Sequence, residues 1–213
     1  MPETSPLWLD EVAIYQGDRP LVRVDARIAP GEVLTLMGPS GVGKSTLLAQ
    51  VAGFLAPAFT ATGRVRLGDE DLTTRPPERR RLGLLFQDPL LFPHLSVGGN
   101  LAFGLPPGGG RRARRRRVEA ALADIGLAGF ADRDPATLSG GQQARVALMR
   151  VLLAEPRAML LDEPFSKLDA ALRDEMRRLV FARVHDRGLP TLMVTHDRQD
   201  AEAAGGRIIE LAP

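Results

Sequence analysis

The stretch Gly38-Pro39-Ser40-Gly41-Val42-Gly43-Lys44-Ser45-Thr46 gathers glycines, hydroxyls and one ammonium in a single short run. It fits the pattern G-x-x-x-x-G-K-[ST] at every defined position. The apolar run Val33–Met37 before it predicts a buried parallel strand. Leu47, Leu48 and Val51 follow at helical spacing, and Gly53 predicts the helix stop. A strand, a glycine turn and a helix N-terminus bring several backbone N–H groups around one point, an anion site suited to nucleotide phosphates. Lys44 is placed to reach the β- and γ-phosphates as a point charge, and the Ser45 hydroxyl to bind Mg²⁺. Of the 28 basic residues only Lys44 and Lys167 are lysines. A chain that otherwise uses arginine puts a compact ammonium here.

Three further groups have types and spacing that suit phosphate chemistry. Met159-Leu160-Leu161-Asp162-Glu163 is an apolar strand ending in two adjacent carboxylates, where α/β sheets open toward ligands. Asp162 would complete Mg²⁺ coordination, and Glu163 would orient and deprotonate an attacking water. Leu138-Ser139-Gly140-Gly141-Gln142 precedes a helix, with Ser139 a good N-cap and glycines that leave backbone amides bare. Taken alone this is a capped glycine turn; beside the first loop it reads as a second phosphate-binding helix N-terminus. Gln87 and His196 each follow an apolar strand. His196 could donate to a γ-phosphate, and Gln87 suits Mg²⁺ or water.

These groups must be carried by a sheet whose strands end on one side. Leu7–Tyr15 and Leu21–Ile28 predict an antiparallel pair around the turn Gly17-Asp18-Arg19-Pro20. Arg64–Leu67, Leu82–Phe86, Ala158–Leu161, Thr191–Thr195 and Arg207–Leu211 predict further strands, with helices over Ser139–Ala154 and about Ala170–His185. The alternation predicts a parallel sheet with both faces covered. Asp88 to Glu155 reads as a mostly helical insertion. Within it, Arg111–Arg117 holds six arginines and one alanine and opens an amphipathic helix. A solvated helix face is the simple account of that run; acidic lipid headgroups or an acidic partner are the alternative.

Composition narrows the classes. The 213 residues are 44% hydrophobic and 25% charged, as in an ordinary globular protein. No apolar run approaches the roughly 20 residues that span a bilayer. Met1–Asp10 carries acids and no base, which does not read as a signal peptide. There is no cysteine, hence no disulfide frame, and the expected setting is a reducing cytoplasm. A formal charge of +2 gives no global field toward nucleic acid.

With these residues in order, the sequence resembles the ATP-binding-cassette (ABC) ATPase family over essentially its whole length. Gly38–Thr46 stands as Walker A, Gln87 as the Q-loop and Leu138–Gln142 as the signature. Met159–Glu163 stands as Walker B, Ser166–Asp169 as the D-loop and His196 as the H-loop histidine. Tyr15 lies where the family's adenine-stacking aromatic usually sits.

The resemblance implies an α/β P-loop NTPase fold: a RecA-like core with a parallel sheet and an N-terminal antiparallel β-subdomain, plus an inserted α-helical subdomain. The core lobe would span 1–87 and 156–213 and the helical lobe 88–155. It implies ATP and Mg²⁺, with Asp169 near the nucleotide, and a head-to-tail homodimer. Each ATP would lie between one P-loop and the other subunit's Ser139-Gly140-Gly141. It implies transmembrane permease subunits docked on the apolar segment Leu90–Leu95, a periplasmic or lipid-anchored solute-binding protein, and a peripheral place on the cytoplasmic face of the bacterial inner membrane. Importers of polyamine, thiamine, sulfate or iron type are the nearest match, without the regulatory β-domain that many carry after the last strand. Soluble members in assembly or repair, exporter or lipid-extraction ATPases, and a nucleic-acid ATPase using Arg111–Arg117 are the rivals. Two positions depart from the family: Gly99 where Glu is usual, and Lys167 where a small residue is commoner.

Overall fold

The computed structural model describes residues 5–211. In chain order the elements are β1 (Leu7–Gln16), β2 (Arg19–Ile28), β3 (Val33–Met37), α1 (Lys44–Ala52), β4 (Thr60–Leu67), β5 (Glu70–Asp71), α2 (Pro77–Arg80) and β6 (Leu82–Leu85). Then come α3 (Val97–Gly104), α4 (Arg111–Asp124), a 3-10 turn (Pro135–Thr137), α5 (Gly140–Leu153), β7 (Ala158–Asp162), α6 (Ala170–Asp186), β8 (Thr191–Thr195), α7 (Arg198–Ala204) and β9 (Ile208–Glu210).

Two sheets form. One is antiparallel with order β2-β1-β4-β5; the other is parallel with order β6-β7-β8-β3-β9. Side chains alternate along each parallel strand, and the alternation divides the core in two. Leu34, Leu36, Leu160, Leu192 and Val194 face α1 and the antiparallel sheet, meeting Leu47, Val51, Leu9 and Val65. Val33, Met159, Leu161 and Met193 face the opposite way, meeting Val97 of α3, Val118 of α4, Val146 of α5 and Val180 of α6. Both faces of the parallel sheet are therefore covered. That is why β3, β7 and β8 are buried almost without a break and mostly apolar while β2 alternates.

Three differences from the sequence reading have physical causes. The first turn is narrower than Gly17–Pro20, because β2 starts at Arg19 and takes Pro20 into the strand. β2 is an edge strand, where a missing N–H costs little. Helix α3 was not legible, since its Gly98, Gly99 and Gly104 argue against a helix. Two of these glycines are close-packing positions. A Cβ on Gly104 would lie 2.2 Å from the Arg150 carbonyl of α5, and one on Gly98 would lie 2.9 Å from that of Ala131. Helix α7 was also missed; it is held by tertiary contacts, with Asp200 and Ala201 buried.

The functional consequence of the sheet is one of placement. β3, β7 and β8 are parallel neighbours in register, so the residues after Met37, at Asp162 and after Thr195 emerge along one edge.

Candidate nucleotide-binding site

The loop between β3 and α1 turns with Gly41 at φ 84° and Gly43 at φ 96°, a left-handed backbone that suits glycine. Gly43 also abuts β2, where a Cβ would meet Val22 at 3.2 Å. The Lys44 side chain is buried and folds back on its own loop, donating to the carbonyls of Gly38 at 2.7 Å and Pro39 at 2.9 Å. Ser45 Oγ donates to Asp162 Oδ1 at 2.9 Å, joining the start of α1 to the end of β7. Burial raises the Asp162 carboxyl above its ordinary range and the neighbouring Glu163 adds to this, while the Ser45 hydrogen bond and the Lys44 charge oppose it.

Glu163 has φ 45°, a left-handed conformation outside glycine and a local strain of the kind that gathers at working sites. Its neighbours hold it there: its N–H donates to Val194 O at 3.0 Å, and Ser166 Oγ donates to its carbonyl at 2.9 Å. Its carboxylate Oε2 lies 3.1 Å from His196 Nδ1. The residues that directly follow two adjacent strands thus meet, and Glu163 also faces the P-loop. Ser40, Gly41, Gly43, Lys44, Ser45, Thr46 and Glu163 line an open cleft of about 310 Å³, closed on its far wall by Gln16, Leu21 and Phe59.

The other sequence-singled residues lie elsewhere. Ser139 caps α5 in a reciprocal box: Gln142 N–H donates to Ser139 Oγ at 3.3 Å, and Ser139 N–H donates to Gln142 Oε1 at 3.0 Å. The two signature glycines differ in task. Gly140 has open space where a Cβ would stand, whereas Gly141 is buried and a Cβ there would lie 2.3 Å from Leu172 of α6. Close packing accounts for the second. Gln87 and Gly140 line a second hollow with Phe86, Gln143 and Lys167, distinct from the P-loop cleft. Lys167 also pairs with Asp88. Asp169 accepts from Leu172 N–H at 3.0 Å and so serves as the N-cap of α6. Tyr15 pairs with Thr60 and Pro20 and directly precedes Gln16 of the cleft wall, but is not itself among the residues lining the cleft.

The family model described as ABC transporter matches residues 21–166. The chain belongs to the ABC transporter family. It is an ATP-binding cassette, and cassettes of this family are ATPases. It is 51% identical over 185 residues to the uncharacterized ABC transporter ATP-binding protein YnjD of Escherichia coli (strain K12), covering 87% of this chain and 85% of that one. It is 47% identical over 207 residues to the thiamine import ATP-binding protein ThiQ of Cereibacter sphaeroides, covering 97% and 88%. The dimeric structure of MJ0796, a bacterial ABC transporter cassette, superposes with TM-score 0.79 at 31% identity, covering 96% of this chain and 94% of that one. Among the described residues no helix is long and apolar enough to cross a membrane.

Some cassette residues escaped the sequence reading. Phe59, in the segment between α1 and β4, is the aromatic that lines the cleft. Arg80 is buried without a carboxylate. It donates to the carbonyls of Gln50 and Val51 at 2.8 Å, closing the C-terminal end of the P-loop helix, and to those of Arg75 and Thr73. Buried Asn100 and half-buried Arg150 shape the segment after Gln87. Asn100 Nδ2 donates to Phe92 O at 3.1 Å, and Arg150 donates to Leu90 O at 2.8 Å. The only signal for either was a polar residue type whose burial the sequence does not reveal.

Proposed function

We propose that this cassette is the ATP-hydrolysing subunit of a solute importer, working as a head-to-tail homodimer against transmembrane permease subunits on the cytoplasmic face of a bacterial inner membrane. One observation carries the dimeric reading. The P-loop and Glu163 line one cleft, with Asp162 joined to it through Ser45 and His196 through Glu163, while the Ser139–Gly141 turn is not part of its wall. A second copy supplies the missing anion site. The import direction rests on similarity to a protein named for thiamine import, and it brings with it a solute-binding protein outside the membrane. The exposed apolar side chains Leu90 and Phe103, with Phe103 packed on Phe92 at 4.6 Å, support permease docking beside Gln87. Residues 88–155 form the helical lobe of this scheme and 1–87 with 156–213 the core lobe.

The P-loop amides and Lys44 bind the β- and γ-phosphates, and Lys44 exchanges two carbonyl acceptors for phosphate oxygens as it does so. Tyr15 and Phe59 take the adenine side. The donor set fits Mg²⁺: one hydroxyl and one carboxylate converge at 2.9 Å, and this ion is held by few protein oxygens with phosphates and waters completing its shell. Ser45 and Asp162 would hold it, and when bound it neutralises phosphate charge. Glu163 accepts the proton of the attacking water. His196 and Gln87 report the γ-phosphate to the rest of the dimer.

The test is Glu163→Gln, which keeps size and removes basicity. ATP binding by titration should stay near wild type, while single-turnover hydrolysis falls by roughly 10²-fold or more. Hydrolysis at the wild-type rate would move the base to another residue.

A further inference from the structure

His196 is exposed, and its Nδ1 approaches Glu163 Oε2 at 3.1 Å. Its backbone is held far more firmly than its ring. Thr195 before it is buried, and Thr195 Oγ1 accepts from the Asp197 N–H at 3.0 Å, tying together the residues on both sides of His196. The same hydroxyl donates to Asp200 Oδ2 at 3.3 Å. Asp200 of α7 is paired with Arg177 of α6 through Nε at 2.7 Å and through Nη2, with side chains 2% and 8% exposed. Arg173 of α6 donates to Asp197 Oδ2 at 3.0 Å, and Asp197 caps α7 through Gln199 N–H at 2.8 Å. Both partners of the Glu163–His196 contact therefore depend on α6. Glu163 is tied to the turn that leads into that helix through Ser166, and His196 is tied to its Arg177 and Arg173.

We propose that Thr195, with the Arg177–Asp200 ion pair behind it, is a positioning residue for His196. It sets the direction from which the imidazole meets Glu163 and the γ-phosphate. This rests on the role given to His196 above. A buried ion pair adds little net stability over apolar residues of similar volume. What this one adds is a fixed hydrogen-bond direction at the Thr195 hydroxyl. The ring needs that direction, because a neutral imidazole donating Nδ1–H to Glu163 leaves Nε2 as an acceptor. Donation to a phosphate then takes a ring turn or a second proton, and either requires a defined starting pose.

The experiment compares Thr195→Val, which keeps shape and removes the hydroxyl, with Thr195→Ser, which keeps the hydroxyl. Both are made in the full chain. In Thr195→Val, kcat for ATP should fall roughly 10- to 100-fold, as for a misplacement of about an ångström, with KM within about twofold of wild type. The ¹⁵N shifts of the His196 imidazole in the nucleotide-free chain should move from the Nδ1–H tautomer toward the mixture of free histidine. Thr195→Ser should restore both. An unmoved His196 signal in Thr195→Val overturns the proposal, whatever happens to kcat. If Thr195→Val does not fold, Asp200→Asn is read by the same two measures. Full hydrolysis in His196→Ala would instead overturn the role given to His196 itself, and the tautomer in Thr195→Val still decides positioning.

Discussion

Asp162 is held at a cost to the ligand-free protein. Its carboxyl is raised by burial, with Ser45 and Lys44 opposing only in part. A folded-state value above the unfolded one means that the folded chain binds the proton more tightly. Stability then falls as pH rises from the unfolded carboxyl value through the raised one, and stays lower above it. Asp162→Asn should therefore raise the melting temperature of the nucleotide-free protein at neutral pH while abolishing hydrolysis. The gain should shrink as pH falls through the raised value and be gone by about pH 4, near the unfolded carboxyl value. A lower melting temperature at pH 7 would contradict this. The adenine wall divides at the same scale. Phe59 lines the cleft and Tyr15 stands beside it. Stacking on one aromatic is worth roughly 1–3 kcal/mol. Phe59→Ala and Tyr15→Ala should each weaken ATP binding in a calorimetric titration if both contribute. Unchanged affinity in one would assign the stack to the other.

Helices α3 and α5 share apolar core side chains, and at Gly104 their backbones also come into close approach. Gly104 lets the α3 backbone reach the Arg150 carbonyl, and Arg150 turns its guanidinium back to the Leu90 and Pro89 carbonyls. Gly104→Ala forces the two backbones apart. An overpacked core position costs roughly 1–3 kcal/mol, and each kcal/mol lowers the melting temperature of a chain of this size by about 2–4 °C. Because the same contact shapes the segment after Gln87, hydrogen exchange in 88–96 should quicken in this variant. Protection equal to wild type there would mean that the segment is held independently of α3. The arginines of α4 behave differently from one another. Arg114 donates to the carbonyls of Pro106 and Ala102, and Arg115 and Arg117 pair with Glu119 and Glu155. Part of the run is therefore structural stitching of the Pro-Gly connection, not one uniform charged face.

At the scale of the molecule, the cassette carries two glycine-rich helix N-termini that do not share a cleft. Glu163→Gln with ATP should elute as a dimer in size-exclusion chromatography and as a monomer without it. Adding Ser139→Arg should return the protein to monomer, because bulk and charge then occupy the turn that must meet the other copy's phosphate. A double variant that still dimerises with ATP would place the trans contact elsewhere.

Much of this was legible in linear order. Gly38–Thr46, Asp162-Glu163 and His196 were readable because phosphate chemistry demands particular residue types at fixed spacing, and because doubly covered strands leave long apolar runs. What those residues touch was not. The Ser45–Asp162 and Glu163–His196 contacts exist because β3, β8 and β7 lie side by side in register, and strand order is a matter of long-range pairing that no local pattern encodes. The signature glycines show the same division. Their presence was plain from sequence, yet only the approach of Leu172 made Gly141 a packing residue while Gly140 stayed open. Asp169 was assigned by motif to the nucleotide, and the fold gave its carboxylate to the N-terminus of α6. Sequence determined the chemistry available to this protein; tertiary structure decided which groups meet, since distance across the sheet edge is set by topology and not by separation along the chain.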